Sequence, residues 1–60
     1  MDLYSIKYNY LGKTKTQSKL SFKFCLHRVR AMKNSPNLYS NIETFFNSYP
    51  CDLEEIFNST

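Results

Sequence analysis

Near the start of the chain, apolar and polar residues alternate one for one. The apolar positions that share one face of this segment are Tyr4, Ile6, Tyr8 and Tyr10. A period of two with aromatic and β-branched side chains is typical of a half-buried β-strand. The pattern therefore predicts a strand over residues 4–10.

The same alternation returns over residues 20–26. Its apolar positions are Leu20, Phe22, Phe24 and Leu26. Tested as a helix, residues 20–32 spread their apolar side chains around the whole circumference, so the strand is favoured there. Gly12 takes a positive φ at little cost and marks the turn of an N-terminal hairpin, whose strands have room to extend into residues 14–18. Residues 27–33 fit either a longer second strand or the start of a helix.

The spacing of apolar residues changes after the polar segment 34–37, which reads NSPN. From there apolar residues recur at i, i+4, i+7, i+8 and i+11, at Leu38, Ile42, Phe45, Phe46 and Tyr49. This stripe predicts an amphipathic helix that Ser35 or Asn37 caps and that Pro50 ends.

A short C-terminal helix is predicted after Pro50. Asp52 is its N-cap, and Leu53, Ile56 and Phe57 face inward. The expected fold class is α+β, with the N-terminal β-hairpin packed against one amphipathic helix and this short helix. At 60 residues the chain forms a single small domain, residues 1–60. Domains of this size are marginally stable, and a homodimer is one way to add stability.

The second half of the chain contains three short motifs in a characteristic order. Within residues 26–57, a basic LHRVR run precedes a polar KNSP loop, and DLEEIF closes the segment. This order resembles the C-terminal half of lambda-repressor/Cro-like helix-turn-helix domains. TQSKL at residues 16–20 is similar to the start of that family's second helix. The resemblance implies an all-α helix-turn-helix fold as the alternative, with Arg28 and Arg30 near the DNA major groove.

Charge is segregated along the chain. All eight lysines and arginines lie within residues 1–33, together with one acidic residue, Asp2; the other acidic residues lie within residues 34–60. The formal net charge is +3. Such polarity favours an anionic partner for the N-terminal half, most often nucleic acid or a membrane surface. A solvated basic face explains the same charges without a partner.

The predicted function is that of a small DNA-binding regulator of phage or mobile-element type. Its basic hairpin would follow a phosphate backbone, and Arg28 or Arg30 would read guanine with two hydrogen bonds. The candidate nucleic-acid-binding residues are Lys7, Lys13, Lys15, Lys19, Lys23, Arg28, Arg30 and Lys33. The alternative is a small inhibitor or adaptor that binds and occludes a host protein, using its aromatic surface or its acidic half.

Catalytic and metal chemistry have little support in the sequence. Cys25, His27 and Cys51 are three candidate zinc ligands, but structural zinc takes four, and no fourth is evident. Cys25 with His27 is also the one pair that suggests nucleophilic catalysis, and no residue orients the imidazole. No Gly-rich phosphate loop exists, since the chain has one glycine. We expect neither an enzyme nor a cofactor.

The N-terminal residues lack a basic segment followed by an apolar one, as a secretory signal requires. No apolar run approaches the roughly 18 residues of a membrane span. The sequence thus predicts a cytoplasmic protein without a membrane partner, in which Cys25 and Cys51 are free thiols.

Overall fold

The computed structural model describes residues 3–59, so Asp2 lies outside the described part of the chain. Six elements follow one another within it. They are β1 (Tyr4–Tyr10), β2 (Lys13–Leu20), α1 (Phe22–Lys33), β3 (Tyr39–Phe46), β4 (Tyr49–Cys51) and α2 (Leu53–Asn58). The four strands form one antiparallel sheet in the order β2-β1-β3-β4, and α1 packs against the central strands β1 and β3.

The first strand lies where the alternation predicts it. Ile6 and Tyr8 are buried, whereas Lys7 between them is exposed. We call the face that carries Ile6 and Tyr8 the covered face of the sheet, and the face that carries Lys7 and Asn9 the open face. An antiparallel sheet with one covered and one open face has this alternation of burial.

The second strand is Lys13–Leu20, so the predicted strand over residues 20–26 is wrong. Two residues, Leu11 and Gly12, join β1 to β2, and both have positive φ, at 50° and 82°. This is the pattern of a type I′ turn, whose twist matches that of the flanking strands. The expected turn at Gly12 and the expected extension of the hairpin into residues 14–18 agree with the structure.

Residues 22–33 form α1, for which Ser21 is the N-cap and accepts a hydrogen bond from the Phe24 amide. The misleading residue is Phe24, which alternates with Phe22 in sequence but is 52% exposed. Without it, the apolar positions follow a helical stripe that faces the sheet. The residues of α1 that are buried there are Cys25, Leu26, Val29 and Met32.

Residues 39–51 form the β3–β4 hairpin, so the predicted amphipathic helix is also wrong. A bulge interrupts the pairing of β3 with β1, and within it Asn41 has a φ of 51°. An extra residue resets the period of two. Tyr39 and Ile42 therefore both pack against the core although they are three positions apart. Pro50 lies in edge strand β4, where a missing amide donor is tolerated.

The short C-terminal helix is confirmed as α2. The side chain of Asp52 caps it by accepting from the amides of Glu54 and Glu55 at 3.1 and 3.3 Å. Leu53 is buried as expected. Ile56 and Phe57 were expected to face inward, but both are exposed.

One buried cluster between the sheet and the helices holds the fold together. Its members are Ile6, Tyr8, Cys25, Leu26, Val29, Met32 and Leu53. The α+β class, with an N-terminal hairpin covered by one long helix and a short C-terminal helix, is confirmed, although the long helix lies one element earlier than predicted. The all-α alternative placed helices at residues 16–20 and after residue 36, where the chain forms β2 and β3.

Candidate nucleic-acid interface

Lys13 and Lys15 lie on the covered face of edge strand β2. Their cross-strand partners in β1 are Tyr10 and Tyr8. Directly opposed residues of neighbouring strands point to the same side of a sheet. Because α1 covers β1 and β3, which are the central strands, both lysines remain exposed beside the helix.

Lys7 lies on the open face and does not join them. It is paired in register with Glu43 of β3. Thr14 is on the same face, since its hydroxyl donates to the Asn9 side-chain oxygen at 3.0 Å. The predicted hairpin cations are thus divided between the two sides of the sheet.

Arg30 and Lys33 both contact α2, although both remain exposed. The Arg30 guanidinium carbon lies 4.9 Å from the centroid of the Phe57 ring. Lys33 Nζ lies 2.6 Å from Glu54 Oε1, in the one ion pair found among residues 3–59. These contacts place the Arg30 and Lys33 side of α1 toward the β4 edge of the sheet, which α2 follows.

Arg28 lies on the other flank of α1. Residues two positions apart in an α-helix are separated by about 200° of rotation about its axis, so Arg28 and Arg30 point to nearly opposite sides. Since Arg30 faces α2, Arg28 faces the β2 edge. It is half-buried there and is the one arginine on the side of the two β2 lysines.

Lys19 and Lys23 lie near the end of the molecule where β2 enters α1. Lys19 has a φ of 58° at a bulge in β2 and is exposed. It lines a shallow recess of about 230 Å³ with Leu3 and Asn47 among its neighbours. Lys23 is exposed in the first turn of α1, which carries no acidic residue.

Charges that are segregated along the sequence are also segregated in the folded molecule. β2 carries three lysines and no carboxylate, whereas β4 leads directly into α2 with Asp52, Glu54 and Glu55. These strands are the opposite edges of the sheet, about 14 Å apart at the usual strand spacing. We therefore call the β2 edge, which carries Lys13, Lys15 and Lys19, the basic edge; at the β4 edge the carboxylates lie with Arg30 and Lys33.

Cys25 and His27, the pair considered for metal binding or catalysis, have different environments in the structure. Cys25 is buried, and its burial, with a smaller effect of nearby Cys51, raises the pKa of its thiol to about 11. His27 is exposed on the same helix, so Cys25 and His27 do not share the face that a strand would give them. No group of three metal-ligating side chains occurs within residues 3–59.

Sequence reasoning missed the residue at the hairpin tip. Leu11 is 62% exposed and has a left-handed backbone conformation. The glycine that follows it was the available sequence signal. Gly12 marked the turn, but the pattern did not show that Leu11 is the first of the two turn residues. Leu11 is therefore exposed in the turn that leads into Lys13 and the basic edge.

Comparison of the chain with protein-family models, with curated proteins and with solved structures found no match. The resemblance of residues 26–57 to helix-turn-helix domains stays a prediction that these comparisons do not test. Within residues 3–59, no helix is long and apolar enough to cross a membrane.

Proposed function

We propose that this protein is a small DNA-binding regulator that contacts phosphates through its basic edge. The observation that carries the proposal is that β2 carries no carboxylate, while Asp52, Glu54 and Glu55 lie at the opposite edge of the sheet. Lys13 and Lys15 are exposed, and neither is among the ion pairs of residues 3–59. Unpaired cations are able to replace the counterions of a polyanion, which is the main source of affinity for DNA.

Arg28 completes this surface from the side of the helix. A guanidinium offers a planar fork of donors that fits phosphate or the guanine edge. It is the only arginine within the described residues that is not stacked on an aromatic ring in α2. Phosphate contacts by lysine therefore supply most of the proposed affinity, and base readout is limited to Arg28. The proposed place of action is the cytoplasm.

The test is a salt titration of binding to a short DNA duplex. Each phosphate contact by a lysine contributes about one to the slope of log affinity against log salt. Lys13→Gln with Lys15→Gln should lower the slope by about two, and Glu at both positions should abolish binding with the fold intact. The control is Lys7→Gln with Lys33→Gln, which removes the same net charge from outside the basic edge. An equal loss of slope in this control would disprove the proposed interface.

A protein-binding inhibitor is the second candidate, because one aromatic pair is unusually open. Tyr49 is 72% exposed beside Phe46, its cross-strand partner in the β3–β4 hairpin. Exposed aromatic residues are enriched in protein interfaces. Binding to a polypeptide that is weakly sensitive to salt and lost in Tyr49→Ser, with no binding to DNA, would favour this candidate.

A further inference from the structure

The tip of the β1–β2 hairpin carries an apolar side chain in a backbone conformation that leucine disfavours. Leu11 has a φ of 50° and is 62% exposed. Asn47 occupies the equivalent position of the β3–β4 turn with the same φ of 50°, and asparagine tolerates this conformation. Leu11 thus brings neither turn stability nor core packing to the fold. Backbone strain of this kind concentrates at functional sites.

The tip is held in place by contacts at its base. The Leu11 amide donates to the Leu38 carbonyl oxygen at 3.1 Å, which ties the turn to the loop before β3. The rings of Tyr10 and Tyr39 lie 5.0 Å apart just below it. The leucine side chain is therefore presented to solvent from an anchored position.

The surroundings of the tip indicate its partner. Lys13 and Lys15 follow Leu11 closely, and residues 3–20 contain no acidic residue. A protein surface that accepts a leucine has no general need for flanking cations, whereas a nucleic acid does. DNA-bending proteins place apolar wedges between base steps and hold the adjoining phosphates with basic residues.

We propose that Leu11 is such a wedge, an inference that rests on the proposed DNA binding. The hairpin tip enters the minor groove, Leu11 inserts between two base pairs and kinks the duplex, and Lys13 and Lys15 contact the flanking phosphates. Pyrimidine–purine steps unstack most readily, so the preferred ligand is a duplex with a central TA or CA step.

The experiment measures DNA bending separately from DNA binding. A duplex of about 20–30 bp with a central TA step and a fluorophore at each end reports the bend as increased energy transfer. Wild-type protein should increase the transfer. Leu11→Asn should bind with an unchanged salt slope and no increase in transfer, while its thermal midpoint is equal to or higher than that of the wild type. Leu3→Asn, which alters an exposed leucine just before the start of β1, is the matched control and should bend DNA normally.

The outcomes separate the wedge from the proposed function. Binding without bending by the wild type, or full bending by Leu11→Asn, overturns the wedge and leaves DNA binding in place. Absence of binding at about 50 mM salt overturns both. Loss of a bound polypeptide in Leu11→Asn, with no DNA binding by the wild type, identifies the tip as a protein contact and also overturns the wedge.

Discussion

The Lys33 ammonium nitrogen lies 2.6 Å from Glu54 Oε1 and joins the last turn of α1 to the first turn of α2. One turn earlier in α1, Arg30 lies over the ring of Phe57. Two of the cations that the sequence assigned to nucleic acid therefore attach the C-terminal helix to the rest of the fold. Their substitution should affect stability more than binding.

Glu54→Gln should lower the free energy of unfolding by less than about 1 kcal/mol, because both partners are substantially exposed and water screens the pair. Urea denaturation measures this change. Glu55→Gln is the control, since Glu55 is adjacent and exposed but forms no ion pair among the described residues. A larger loss in Glu55→Gln than in Glu54→Gln would contradict the role of the Lys33 contact.

Lys33→Gln should leave the affinity for DNA close to that of the wild type, whereas Lys13→Gln should weaken it and lower the salt slope by about one. The two variants have the same net charge, so long-range attraction does not distinguish them. A mobility-shift titration at several salt concentrations measures both. Equal effects would show that position on the molecule is irrelevant to binding.

Leu26→Ala should lower the free energy of unfolding by about 2–5 kcal/mol, because Leu26 is 4% exposed in the core and its truncation leaves a cavity. Phe24→Ala should change it by no more than about 0.5 kcal/mol, because Phe24 is on the outer side of α1. Far-UV circular dichroism during urea unfolding measures both. Similar large losses would support the strand predicted from the sequence, in which both side chains share one face.

Ser48→Gly should raise the free energy of unfolding by up to about 1 kcal/mol. Ser48 has a φ of 70° at the second position of the β3–β4 turn, where glycine is strongly preferred after asparagine. Gly12→Ala should have the opposite effect at the corresponding position of the other hairpin. An added Cβ at Gly12 meets no atom within 4 Å, so the loss there comes from its φ of 82° alone. Thermal unfolding measures both, and destabilisation by Ser48→Gly would contradict the assigned turn.

Stability should fall at alkaline pH because of Cys25. Its folded-state pKa of about 11 exceeds the ordinary thiol value of 9.0, so the unfolded chain loses the proton first. The stability that the protonated Cys25 thiol contributes is fully present below about pH 9 and is lost as the pH rises to about 11. Removing the buried side chain in Cys25→Ala should lower the thermal midpoint by a similar amount at every pH. Across this pH range, however, its midpoint should decline less steeply than that of the wild type. Parallel declines in both proteins would show that Cys25 has no part in the effect.

Local pattern predicts the elements that have few competing interpretations. The clean alternation of residues 4–10 suits only a strand, and Asp52 before two glutamates suits the start of a helix. Pattern failed where two periods fit the same residues. Phe22 and Leu26 fit both an alternating series and a helical stripe. Phe24 distinguishes the two patterns, because it belongs to the alternating series alone, and only tertiary packing leaves it exposed.

The sequence by itself determined the first strand, the last helix, the hairpin turn at Gly12 and the order of charges along the chain. Tertiary structure decided the rest. The bulge at Asn41 resets the alternation of β3, and only pairing with β1 creates that bulge. The order of strands in the sheet determines which cations gather at one edge, and α2 determines that Arg30 and Lys33 are not among them. Local periodicity depends on neighbours in the chain, whereas faces and edges depend on which distant segments come into contact.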